Sequence, residues 1–145
     1  MRLALAIALG LAMARPVQAG DAGTALRDLG LLGTWGENCS IDQTTLLTRF
    51  AIDSFGLARV TRGYPDVVRS AATIVAAEQT SAAEIVLTLD EGFALPARRV
   101  SLRRDGDGLQ VWRSVLLPDG VAMIAEGRGV ATGAPVPVLH RCMSE

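Results

Sequence analysis

The sequence predicts an all-β chain: a single antiparallel up-and-down barrel or half-barrel of about eight strands, held by one disulfide. Three observations lead there. Short runs of alternating apolar and polar residues recur from Leu46 onward at intervals of about ten residues, the spacing of a sandwich or barrel. Turn residues stand between the runs, as in Asp105-Gly106-Asp107-Gly108 and Pro118-Asp119-Gly120, so consecutive strands join through tight hairpins and up-and-down order is favoured over Greek key. Finally, Cys39 lies in the first convincing strand region and Cys142 in the last, where one bridge would join the two.

Taken in order, the chain opens with a processing signal. Met1-Arg2 is a short basic start, Leu3 to Ala14 an uncharged apolar run, and Val17-Gln18-Ala19 supplies small residues at the two positions a signal peptidase reads. The run falls short of the roughly 20 residues of a membrane span. Residues 1–19 are therefore expected to be a signal peptide cleaved near Ala19, and residues 20–145 one β-barrel domain without stable membrane insertion. An exported chain with two cysteines is expected to oxidise them, in the periplasm or outside a bacterial cell. Closing a loop of about 100 residues removes up to about 4.7 kcal/mol of unfolded-state entropy.

Thr24 to Leu32 carries Leu26, Leu29 and Leu32 at helical spacing, with Gly30 and Gly33 as stops, and reads as a short helix that could cover one barrel end. Gly33 to Cys39 begins the strands. In the next run Leu46, Thr48, Phe50 and Ile52 form the more apolar, inward face. Asp53-Ser54-Phe55-Gly56 is a turn whose Phe55 is expected to fold back over the barrel end, and Leu57 to Tyr64 returns. Val67 to Gln79 reads two ways: its alanines and the Asp66 cap suit a helix, whereas Thr73-Ile74-Val75 and the strand that follows suit a hairpin turning near Thr80-Ser81; strand is preferred. Ile85, Leu87 and Leu89 point one way along Glu84 to Asp90. Val100 and Leu102 point inward, and Arg99, Ser101 and Arg103 outward. Leu109 to Leu117 and Val121 to Glu126 follow, then a loose Gly- and Pro-rich stretch from Gly127 to Pro137, then a closing strand from Val138 to Cys142.

Composition narrows the function classes. Every basic residue is Arg, the whole chain has a formal charge of −1, and the leader would remove Arg2 and Arg15 but no acid. A mildly acidic exported chain is a poor partner for nucleic acid or an anionic membrane surface. His140 is the one histidine, so no histidine pair can hold a metal, and no Gly-x-Ser-x-Gly elbow accompanies it. Asp105-Gly106-Asp107-Gly108 starts like a calcium loop but has Leu116 where the terminal Glu would stand. No catalytic residues, metal site or cofactor are expected. Arg99 and Arg103 on one strand face are a candidate surface for an anion or a protein partner.

Gly33-x-Trp35 after a short lead-in, then a meander, then Arg141 late in the chain, resembles the calycin superfamily of lipocalins and avidin-like proteins. The resemblance implies that Trp35 closes one barrel end, that Arg141 packs on its face, and that a central cavity takes apolar molecules. The Thr-Asp-Tyr turn of many lipocalins is absent. The chain also resembles small exported bacterial β-barrel inhibitors of proteases and lysozyme. Two functions follow as expectations: a monomeric, non-enzymatic binder of a small apolar ligand, or an inhibitor or partner of an envelope hydrolase. With aromatics only 4% of the chain, the interior has few large side chains with which to fill itself.

Overall fold

A computed structural model describes residues 22–40, 42 and 44–143; the expected signal peptide, residues 1–19, lies outside them. One short helix, α1 (Ala22–Asp28), precedes ten strands: β1 (Gly33–Gly36), β2 (Leu47–Ile52), β3 (Ala58–Tyr64), β4 (Val67–Ser81), β5 (Glu84–Asp90), β6 (Arg98–Asp105), β7 (Gly108–Leu116), β8 (Val121–Ala125), β9 (Arg128–Gly129) and β10 (His140–Met143). All pair antiparallel in one sheet, in the order β10-β1-β2-β3-β4-β5-β6-β7-β8-β9. From β1 to β9 this is the expected meander.

One expectation about the sheet is corrected, the strand count, and of the barrel or half-barrel expected the ladder shows an open sheet. Ten strands form among the described residues where about eight were expected, in part because the Gly127 to Pro137 stretch is not loose. The two-residue β9 pairs with β8, Arg128 bridges to Pro135, and the Gln110 side chain donates to the Val136 carbonyl at 2.7 Å. The ladder is also not closed into a full barrel, since β10 and β9 are its terminal strands. A single bridge links β7 to the residue before β10: Leu109 and Leu139 exchange both backbone hydrogen bonds, at 2.8 and 2.7 Å. Phe55 does not fold back either. It sits at the turn tip 88% exposed, because Asp53 accepts from the Phe55 and Leu57 amides and turns the backbone outward.

The stretch from Val67 is strand throughout, as preferred from its β-branched residues, and turns after Ser81. Its length is managed by bulges. Ile74 pairs with Leu89 and Ala76 with Thr88, so Val75 is an extra residue. The inward face accordingly shifts from Ala72 and Ile74 to Ala77, all buried. The β3–β4 ladder shifts register between Arg62 and Gly63, and the β6–β7 ladder between Ser101 and Leu102. Each such shift bends and coils the sheet about its apolar face, on which Phe50, Ile74, Ile85, Leu87, Leu102 and Leu109 form one core.

Helix α1 lies across one end of this curved sheet. Its contacts are with β4, β2 and β3, and Gly23 lies against the Ile52 side chain at the end of β2. The helix stops in a Schellman motif: the Leu31 amide donates to the Leu26 carbonyl, and the Gly30 amide, at φ +64°, to that of Arg27. Leu26 and Leu31, the apolar pair that accompanies this motif, are fully buried. Two arginines far away in sequence bind the carbonyls that follow. Arg104 donates to Leu29 and Arg141 to Gly30 and Leu32.

Candidate functional site

The end beneath α1 is sealed by the opening motif. Trp35 is 2% exposed, and its indole N–H donates to the Leu31 carbonyl at 2.9 Å. Trp35 and Arg141 are direct partners across β1 and β10, and the guanidinium carbon stands 4.5 Å from the ring centroid. Gly33 makes this approach possible. It has φ +125°, and a Cβ there would lie 2.3 Å from the Met143 carbonyl oxygen. Cys39 and Cys142 are bridged, with Cα atoms 5.1 Å apart, so the loop after β1 is bound to β10 beside the seal. Gly33, Trp35, Arg141 and the cystine thus form one structural cluster.

From the sealed end the sheet encloses an open-ended cavity of about 1230 Å³. Phe50, Val60, Leu87, Leu102, Leu109 and Leu139 line it, together with polar residues that include Thr48, Thr61 and Ser70. The space exists because the few aromatic residues go elsewhere. Phe55 and Phe93 are exposed, and Trp112 lies under Arg103. Only Trp35 and Phe50 are buried, leaving medium-sized aliphatics to line the rest. Strand register places the mouth opposite α1, among the β1–β2 connection, the β3–β4 hairpin and the β5–β6 connection.

The mouth is polar with apolar fringes. Glu37, Asp42, Arg62, Arg69 and Glu91 line it, with Phe93 fully exposed and Leu95 55% exposed on the β5–β6 connection. Phe93 and Ala94 there adopt φ of 51° and 57°, a conformation side-chain-bearing residues rarely take. On the β1–β2 side, the Asp42 carboxylate accepts from the Thr44, Ser40 and Thr45 hydroxyls at 2.6, 2.9 and 3.0 Å and from the Thr44 amide at 3.0 Å. These bonds, the Thr44 hydroxyl first, hold its pKa well below the usual carboxylate range.

Among the residues lining the cavity are Ser114, which the sequence did not single out, and Arg98, which it placed in a run of arginines with Arg99, Arg103 and Arg104. Ser114 is 2% exposed, and its hydroxyl has no hydrogen-bond partner in the protein. Arg98 has one guanidinium nitrogen, Nη2, on Glu91 at 3.0 Å, while its Nε–H is buried and unpartnered. Val100 pairs with Ser114 and Arg98 with Leu116, so Arg98 and Ser114 are diagonal neighbours on the inward face of β6 and β7.

The four arginines of β6, Arg98, Arg99, Arg103 and Arg104, go to different places. Arg98 turns into the cavity, Arg104 binds the Leu29 carbonyl, and Arg99 and Arg103 are exposed on the outer face. The Arg103 guanidinium lies 4.4 Å from the Trp112 ring centroid, so half of the candidate anion surface is already stacked on an indole. His140 is exposed, 3.7 Å from Asp107. Among the described residues no group of three or more His, Cys, Asp or Glu is placed to hold a metal ion, and no helix is long and apolar enough to cross a membrane. No protein-family model, curated protein or solved structure matches this chain.

Proposed function

We propose that this chain is an exported, non-enzymatic binding protein that takes a small apolar molecule into its central cavity. The observation that carries the reading is the volume and lining of that cavity. About 1230 Å³, lined in large part by aliphatic side chains, is enough for a drug-sized ligand, for which sites of roughly 300–1,000 Å³ are usual. The proposal includes a calycin-like barrel of eight strands, β1–β7 and β10, closed where Leu109 meets Leu139, with β8 and β9 as a flap on the upper half of β7. Eight strands leave room for one small ligand when the inward residues are not bulky. The Trp35–Arg141 seal and the cystine would hold the closed end. A bridge of this kind suits an oxidising compartment. The alternative, a module that inhibits or binds an envelope hydrolase, would use a rim loop or the Arg98–Arg104 face, and the Arg103–Trp112 stack weakens the second of these.

Titration with the neutral fluorophore N-phenyl-naphthylamine tests the reading. Saturable binding to one site is expected, with blue-shifted emission. Ala72→Phe, which places a ring into the cavity from a wall position, should weaken it at least about tenfold, the effect of losing roughly 1.4 kcal/mol. Absence of saturable binding by a chain with an intact β-type circular dichroism spectrum would overturn the proposal.

A further inference from the structure

Among the described residues Phe93 is the most exposed large apolar side chain, at 100%, and it borders the cavity together with Leu95, 55% exposed. A single exposed apolar residue is ordinary, but this one is held out by its backbone. The Leu95 amide donates to the Gly92 carbonyl at 3.0 Å, and Phe93 and Ala94 between them have φ of 51° and 57°. That is the φ pattern of a turn normally built on Asn-Gly, since a Cβ strains it. Both flanks are fastened: the Asp90 carboxylate accepts from the Gly92 amide at 2.8 Å, and Glu91 pairs with Arg98 at 3.0 Å. A slack loop would let the ring collapse onto the apolar mouth, whereas this turn keeps it in water. Strain of this kind gathers where a protein meets a ligand or partner.

Charge narrows what can receive the ring. Among the residues lining the cavity, Arg62, Arg69 and Arg98 are matched by Glu37, Asp42 and Glu91. A balanced rim lacks the single-signed field that steers charged partners together, and the chain as a whole, at −1, gives an anionic surface no attraction. The tight turn cannot lie extended in a peptide-binding cleft or add a strand to another sheet. Hydrocarbon sets no such geometric condition. An aromatic ring beside a leucine suits the bilayer interface, where apolar side chains enter below the headgroups. An apolar ligand, sparingly soluble in water, concentrates in that same phase.

We infer that the turn at residues 92–95 docks the cavity mouth on a neutral lipid bilayer, with Phe93 and Leu95 entering its interface, so that an apolar molecule passes between bilayer and cavity without crossing water. The passage rests on the proposed role of the cavity; the docking does not. Docking is shallow and reversible. The two side chains bury less hydrocarbon than one myristoyl chain, which binds with a constant of about 10⁴ M⁻¹, so half-binding falls at about 1 mM lipid.

Flotation of the full chain with phosphatidylcholine vesicles tests the docking. The chain is expected to float, and Phe93→Ser to weaken binding at least about tenfold. Phe55→Ser removes the exposed phenylalanine of the β2–β3 turn, at the α1 end, and should leave flotation within about twofold. In Phe93→Trp, the new indole should be quenched by phosphatidylcholine brominated on its acyl chains. The unsubstituted chain should not be quenched, because Trp35 is buried and Trp112 lies under Arg103. Failure to float, an equal loss in Phe55→Ser, or an unquenched Phe93→Trp would overturn the docking. Flotation that requires phosphatidylglycerol and disappears in salt would overturn it too, moving the contact to exposed arginines such as Arg99. Titration with N-phenyl-naphthylamine decides the cavity separately: docking without fluorophore binding would sink the reading of the cavity, and fluorophore binding without docking would sink this inference alone.

Discussion

Arg141→Ala removes the side chain that lies over the Trp35 ring and binds two carbonyls of the connection after α1. Three contacts go at once. A guanidinium over an indole contributes about 0.5–1 kcal/mol when exposed and about 2 when desolvated. Here the ring is buried but Arg141 is exposed, so about 1 kcal/mol is the fair value. The bonds to the Leu32 and Gly30 carbonyls would contribute about 1.5–3 kcal/mol each as buried charge-assisted bonds. Water can replace an exposed donor, which reduces each to about 0.5–1 kcal/mol. The sum is about 2–3 kcal/mol, or about 6–15 °C in melting temperature for a domain of this size. Arg141→Lys keeps the charge but cannot fork to both carbonyls and should lose about half as much. Melting followed by circular dichroism on Arg141→Ala, Trp35→Phe and the double variant gives the coupling. A coupling within about 0.3 kcal/mol of zero would refute the stacked contact.

Further outcomes follow from the cystine and from the mouth. Reduction of Cys39–Cys142, or its replacement by Ser at both positions, should lower stability by up to about 4.7 kcal/mol. Mass spectrometry of the oxidised chain should show the two cysteines unreactive to alkylation until reductant is added; free thiols would contradict the bridge. Asp42 has a folded-state pKa below its ordinary 3.8, so its contribution to holding the β1–β2 connection is complete above that pH and lost progressively as pH falls below it. Asp42→Asn lacks this dependence. The difference between the two melting temperatures should therefore be constant from pH 7 to pH 5 and shrink below about pH 4; a difference that grows on acidification would reverse the sign of the argument.

Much of the fold was legible because alternation is a local signal. Ile85, Leu87 and Leu89 point inward as their spacing predicts, as do Val100 and Leu102, and the Gly106-Asp107 turn falls where Asp-Gly marks it. The cluster of Gly33, Trp35 and Arg141 was legible only through a resemblance, since nothing local pairs residues so far apart. The polar corner of the cavity was not legible, and a bulge is the reason. Strict alternation from Leu109 and Val111 carries Arg113 and Val115 inward. Leu102 pairs with Val111 and Ser101 with Arg113, so Trp112 is an extra residue and the phase flips. Ser114 therefore turns in and Arg113 out. Arg98 was hidden for a different reason: beside Arg99 it reads as part of a solvated basic face, and its ion pair with Glu91 depends on the course of the β5–β6 connection.

Native mass spectrometry of the whole chain, expressed in a bacterial host, bears most directly on the central claim. Gentle desolvation should reveal a population carrying one uncharged apolar molecule, lost on collisional activation and depleted in Ala72→Phe. Recovery of the bare chain alone, together with failure of any apolar molecule to bind on addition, would contradict a ligand-binding cavity.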